Sequence, residues 1–145
     1  MNMIRAVIGL AGSLALGACV SVDVERVEAR GSAACAAGLS PTPVAHLYFG
    51  RFIGGSMGVS DTEWQDFVDA EITPRFPDGL SVADVSGQWR GPDGVIVREP
   101  SKTVMVVLTG AETEQASLDA IRTAYVERFD QDAVMLIQQT ACVGF

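Results

Sequence analysis

Across residues 44–145 the apolar positions change their spacing repeatedly, and the order of those changes leaves few folds open. Residues 44–50 form a β-branched and aromatic run ending at glycine, the pattern of a strand. Alternation places Leu47 and Phe49 on its more apolar side, toward a core, and His46 with Tyr48 on the other. Residues 50–59 are glycine-rich and expected to be a loop. Ser60-Asp61-Thr62-Glu63 then fits a capping box, in which the serine hydroxyl and the glutamate carboxylate satisfy backbone amides left without partners at a helix start. Trp64, Phe67, Val68 and Ile72 keep helical spacing behind it, and Pro74 and Pro77 forbid continuation.

Residues 80–90 and 95–99 flank Gly91-Pro92-Asp93-Gly94, the composition of a hairpin turn. Pro100 lacks an amide donor and is expected to kink the return strand, separating an outer arm from the apolar residues 103–108. Leu118, Ile121, Tyr125 and Phe129 mark a second helix with Asp119 on its outer side, and residues 134–137 are apolar on both faces, as in an interior strand. The order β-α-β-β-α-β predicts a ferredoxin-like α+β domain, with two helices on one face of a four-stranded antiparallel sheet. In that arrangement the last strand runs beside the first, and the other face of the sheet is left for a binding partner or for a second copy in a homodimer.

The N-terminus follows a different logic. Arg5 gives residues 1–5 a positive charge, and residues 6–18 are uncharged and apolar but too short for the roughly 20 residues of a spanning helix. Leu16-Gly17-Ala18-Cys19 resembles a lipobox, the motif at which bacterial lipoproteins are lipidated and cut. Small residues at Gly17 and Ala18 let an extended backbone enter a protease site, and only the Cys19 thiol can form the thioether. The resemblance implies a signal peptide over 1–18 and a Cys19 carrying several acyl chains, which anchor a protein to a membrane where a single chain is marginal. Val20, rather than an acidic residue, follows the cysteine, a pattern that resembles lipoproteins sent to the outer membrane, so the expected place is its periplasmic face. The expected organisation is completed by a polar, flexible tether over 19–43 and a single domain over 44–145.

With Cys19 lipidated, Cys35 and Cys142 remain, an even number suited to an oxidising compartment, and a disulfide between them is predicted. The entropy model credits so long a closed loop with about 4 to 5 kcal/mol, an upper figure because strain and residual structure reduce it. Two free buried thiols are the alternative. The pair and the single His46 fall short of the four ligands of a structural zinc, so no metal or cofactor is expected. With 18 acidic against 10 basic residues and a net charge of -8, the chain is a poor partner for a phosphate backbone, which excludes nucleic acid.

Gly54-Gly55-Ser56-Met57-Gly58 matches the nucleophile elbow of hydrolases, but the only histidine lies upstream and a flexible loop is the better description. His46 beside Tyr48 has the makings of an acid-base pair, although a histidine on a partly open sheet face explains it as well. The cations Arg51, Arg75, Arg90, Arg98 and Lys102 are concentrated near aromatic or turn residues. Arg90 and Arg98, on opposite arms of one hairpin, are candidates to grip a carboxylate or phosphate together, with pairing to Asp78, Asp93 and Glu99 as the ordinary fate. Trp89 near the hairpin tip is expected to plug the core rather than to form an exposed stacking platform. Asp130 and Asp132 lack the other ligands of a calcium loop and read as solvated surface.

Over residues 47–145 the chain resembles the bacterial family catalogued as domain of unknown function 3574. The resemblance is carried by Leu47-Tyr48-Phe49-Gly50-Arg51, Trp64, Ile72-Thr73-Pro74-Arg75-Phe76-Pro77-Asp78-Gly79-Leu80, Gly87-Gln88-Trp89-Arg90, Arg98-Glu99-Pro100-Ser101-Lys102 and Ala141-Cys142-Val143-Gly144-Phe145. It implies a secreted or lipid-anchored protein and transfers no catalytic residue. The expected role is that of an envelope domain that binds or assembles through the open sheet face and the Arg-bearing hairpin. The alternative is a small cofactor-free enzyme, of the isomerase or monooxygenase sort, with His46, Tyr48 and Arg98 lining a cavity between the sheet and a partner subunit.

Overall fold

The computed structural model describes residues 34–145 except Pro92, so the expected leader, the Cys19 lipidation site and most of the tether lie outside the described residues. The elements are β1 (Ser40–Gly50), β2 (Phe52–Ile53), β3 (Ser56–Met57), α1 (Asp61–Phe67), β4 (Ser81–Arg90), β5 (Ile96–Val107), α2 (Thr113–Phe129) and β6 (Met135–Val143). The main sheet has the order β4-β5-β1-β6 with every neighbour antiparallel, the ferredoxin-like α+β arrangement. Cys142 stands opposite Pro41 at the end of β6, and Cys35 is bonded to it with 5.5 Å between the Cα atoms.

Local chemistry starts and stops the helices. The Ser60 hydroxyl accepts from the Glu63 amide at 3.2 Å, and the Glu63 carboxylate accepts from the Ser60 amide at 2.9 Å, completing the capping box. A π-helical turn, Val68–Ile72, continues α1, and Trp64, Phe67, Val68 and Ile72 are all buried. Helix α2 ends at Asp130, whose φ of 49° is the left-handed conformation of a helix C-terminus. Leu118, Ile121, Tyr125 and Phe129 from α2 meet Leu47, Phe49, Val104 and Val106 from the sheet in one core. Phe49 lies at its centre, edge-on to Trp64 at 5.1 Å and to Tyr125 at 4.8 Å between ring centroids.

Four expectations are corrected. The glycine-rich stretch holds a two-stranded hairpin, β2–β3, turned by Gly54 and Gly55 at φ 58° and 84°. A tight turn with two positive φ values closes a two-residue hairpin, and glycine adopts them without a Cβ clash. Ser56 therefore sits on a hairpin strand rather than on the strand-to-helix turn a nucleophile elbow needs. Strand β1 begins at Ser40, inside the expected tether, because residues 40–43 pair with β6. Pro41 and Pro43 are tolerated there since the ladder with β5 starts only at Val44, and the one bond beyond it, from the Leu108 amide to the Pro43 carbonyl at 2.8 Å, asks no donor of the proline.

Pro100 likewise causes no break. Strand β5 runs through it, paired with Ser86, and pairing of β5 with β1 stops at Ser101, so Pro100 has a strand on one side only. Finally, β6 is an edge strand rather than an interior one. Its second apolar row, Met135 and Ile137, faces the side of the sheet without helices and is 54% and 40% exposed.

Candidate functional site

A cavity of about 830 Å³ lies on the open face of the sheet, at the end where β1 passes into the β2–β3 hairpin. Strand alternation selects its walls. Tyr48 pairs with Thr103 and Met135, Val85 with Ser101, Gly87 with Glu99, and Trp89 with Val97, so these side chains share the face that points away from the helices. Phe52 and Ile53 of the hairpin and residues 130–133 after α2 rise beside them.

Glu99 is held in the cavity by both of its oxygens. Its Oε1 accepts from the Trp89 indole Nε1–H at 3.1 Å and its Oε2 from the Phe52 amide at 3.1 Å. Two glycines make room for it. A Cβ on Gly50 would stand 2.8 Å from Glu99 Oε1, and one on Gly87 would stand 2.8 Å from the Ser101 hydroxyl and 3.5 Å from Glu99 Cγ. The Gln131 amide donates to the Phe52 carbonyl at 2.8 Å, so Phe52 is tied on one side to β5 and on the other to the end of α2. From the core side, the Tyr125 hydroxyl donates to the Gly50 carbonyl at 2.8 Å. Burial holds this phenol well above its ordinary range, against the charge of Arg51 and with a contribution from Glu99, so it stays a proton donor.

Of the candidate binding residues named from sequence, Tyr48 and Trp89 line the cavity and His46, Arg51, Arg75, Arg90, Arg98 and Lys102 do not, whereas Asp130 and Asp132, read from sequence as solvated surface, are among its lining. His46 is on the same face but further along, opposite Met105 and Ile137. Arg51 and Lys102 are only 6% and 8% exposed, on the helix-covered side. Arg51 donates from Nε to the Val59 carbonyl at 2.9 Å and pairs with Asp61 at 3.1 Å. Lys102 joins Asp61 at 3.2 Å and also meets Asp84. The hydrogen bond from Lys102, helped by the charge of Arg51, holds the Asp61 carboxyl below its ordinary value. The bond to Asp84 outweighs burial and raises the Lys102 ammonium above its own. Arg75 pairs with Glu71 at 2.7 Å within its own turn.

Arg90 and Arg98 are diagonal neighbours on the hairpin face opposite Trp89, and Arg90 donates to the Gly94 carbonyl at 3.4 Å. The arginines thus do not contribute to the open face, and His46, Tyr48 and Arg98 do not converge on a cavity. One residue step along a strand reverses the face, and Arg98 is one step from Glu99. Trp89 is not a core plug either; it is 42% exposed and forms a cavity wall, while Trp64 fills the core. Sequence reasoning considered Glu99 only as a partner for arginine and passed over Ser101. The signal was present in the alternation Val97, Glu99, Ser101, facing Gly87 and Trp89 across the hairpin.

Among the described residues no group of three or more His, Cys, Asp or Glu side chains is placed to hold a metal ion, and no helix is long and apolar enough to cross a membrane. A family model described as a protein of unknown function (DUF3574) matches residues 44–145. The structure is similar to that of a phage SAM lyase in complex with S-methyl-5'-thioadenosine, at 16% identity and a TM-score of 0.56, covering 77% of this chain and 94% of the lyase. The same lyase in its apo state is similar at 18% identity and a TM-score of 0.54, with 72% and 90% of the two chains covered. CutA from Synechococcus elongatus gives 15% identity and a TM-score of 0.48, over 73% of this chain and 84% of CutA. At such identities the lyase likeness bears on the fold alone. No curated protein matches the chain in sequence.

Proposed function

The chain belongs to the DUF3574 family of proteins of unknown function, and from that footing we propose that it is a lipid-anchored domain of the cell envelope that holds a small molecule on its open sheet face. The observation that carries this reading is the fixed carboxylate of Glu99 in a cavity of about 830 Å³. Small-molecule sites commonly enclose about 300 to 1,000 Å³, with apolar walls that supply affinity and a few placed polar groups that supply orientation. The anchor rests on the lipobox resemblance at Cys19, and Val20 after it is what supports the periplasmic face of the outer membrane as its location. The bonded Cys35–Cys142 pair supports maturation in an oxidising compartment. A second copy of the chain is proposed to cover the rest of the open face, where Ile137 stands exposed beyond the cavity wall formed by Met135.

A fragment screen by ligand-observed NMR against the purified chain and Trp89→Ala tests the cavity. Binders that lose about tenfold affinity in the variant support it, as expected for removal of an aromatic wall; a screen in which no binder distinguishes the two proteins overturns it. Labelled palmitate should appear on the wild type and vanish in Cys19→Ser, and unchanged labelling removes the anchor. Equilibrium sedimentation decides the second copy, with a monomer at every concentration as the adverse result.

An enzymatic reading is favoured by one observation, the carboxylate bonded to an indole in a cavity that Tyr48 also lines. One similar fold is a SAM lyase solved with S-methyl-5'-thioadenosine, so S-adenosylmethionine is the substrate to try. Release of S-methyl-5'-thioadenosine by the purified chain, lost in Glu99→Gln, would replace binding by catalysis.

A further inference from the structure

We infer that the cavity selects an organic cation with an apolar, flat body, an assignment that rests on the small-molecule reading and specifies its chemistry. The charged side chains lining the cavity are Glu99, Asp130 and Asp132, and no Lys, Arg or His is among the lining residues. The cations next in sequence to lining residues, Arg51, Arg90, Arg98 and Lys102, are all on the other face of the sheet, where Asp61 and Asp84 neutralise Arg51 and Lys102. Partly enclosed, low-dielectric walls focus such a one-signed field, so an anion is repelled and a cation drawn in.

Glu99 adds direction to that field. Its two hydrogen bonds come from neutral donors, the Trp89 indole and the Phe52 amide, which fix the carboxylate without cancelling its charge. Each oxygen has a further lone pair for a ligand N–H, and a bond between charged partners is about twice as strong as a neutral one. The Trp89 indole, held by the same bond, and Tyr48, two strands away, both stand in the wall, and aromatic faces favour a cation within about 6 Å. The volume of about 830 Å³ and the apolar walls Val85, Val97 and Met135 call for a body larger than a bare ammonium ion. The absence of a three-ligand cluster among the described residues argues against a metal ion as the occupant.

Three indoles with one ring and different heads test the inference: tryptamine (cationic), tryptophol (neutral) and indole-3-acetate (anionic). The readout is the pair of indole N–H signals, from Trp64 and Trp89, in nitrogen-15 spectra of the purified chain, assigned with Trp89→Phe. Tryptamine is expected to shift the Trp89 signal and to bind about tenfold or more tighter than tryptophol, with indole-3-acetate weakest. Glu99→Gln should bring tryptamine to within about threefold of tryptophol, and an unmoved Trp64 signal certifies the fold. Should that variant fail to fold, Asp130→Asn combined with Asp132→Asn on the exposed rim is expected to weaken tryptamine selectively by a smaller factor. Equal affinities for tryptamine and tryptophol, or preference for the acid, overturn the cation assignment and leave the cavity reading standing. No shift of the Trp89 signal with any of the three overturns both.

Discussion

On the helix-covered side of the sheet, Phe49, Trp64, Phe67 and Tyr125 pack against one another with ring centroids between 4.8 and 6.2 Å apart. On the open side, Tyr48 and Trp89 stand in a cavity wall, and the one indole N–H is held by a carboxylate. The charges divide in the same way. Buried Arg51 and Lys102 meet Asp61 and Asp84 on the covered side, whereas Glu99 on the open side receives only neutral donors. A face that must exclude water closes its aromatics on each other and compensates every buried charge. The face proposed to admit a ligand leaves aromatic surface and the acidic charges of Glu99, Asp130 and Asp132 unmatched, and that contrast marks the candidate site.

The sharpest way to break this comparison is to truncate one aromatic on each side. Phe67→Ala is expected to lower unfolding free energy by about 3 to 5 kcal/mol in urea titrations, because the surrounding core relaxes only partly. Trp89→Ala should cost about 1 kcal/mol or less while impairing ligand binding. Equal losses would show that the open face is a second core. A smaller effect tests a bond that links the two sides. Tyr125→Phe removes the donor to the Gly50 carbonyl under Glu99 and should cost about 1 kcal/mol. A neutral result would show that the carbonyl is satisfied otherwise.

The smallest effects concern pH. Lys102 has a raised folded value, so its contribution is fully present below the unfolded value of about 10.4 and is lost as pH rises through the folded one. Asp61 has a lowered folded value, so its contribution is present above about 3.9 and is lost as pH falls through the folded one. Thermal midpoints should therefore decline at both extremes, and Asp61→Asn should flatten the acid limb slightly, since Asp61 faces solvent and screening weakens its pairs. An unchanged acid limb in that variant would remove Asp61 from the account.

Much of this fold was readable from local pattern. The capping box at Ser60, the stripe of Trp64, Phe67, Val68 and Ile72, and the alternation of residues 44–50 each report on chain within a few residues of itself. The misreadings concern neighbours. Pro41, Pro43 and Pro100 disrupt nothing because each has a strand on one side only, and the doubly apolar start of β6 marks an edge above an open face. The Gly54-Gly55 pair announces a turn, but nothing local says that Phe52 would pair with Met57.

By itself the sequence determined the order of the two helices and the four main strands, the two faces of the first strand and the pair of Cys35 with Cys142, because periodicity and composition act over short stretches of chain. Tertiary structure alone decided which hairpin face would meet the cavity and which would carry Arg90 and Arg98. It alone brought the Phe52 amide to Glu99 across 47 residues and the Gln131 amide to the Phe52 carbonyl across 79. Contacts at such separations form only once packing has chosen the partners, since the entropy of closing long loops is repaid by the whole core and not by any one bond.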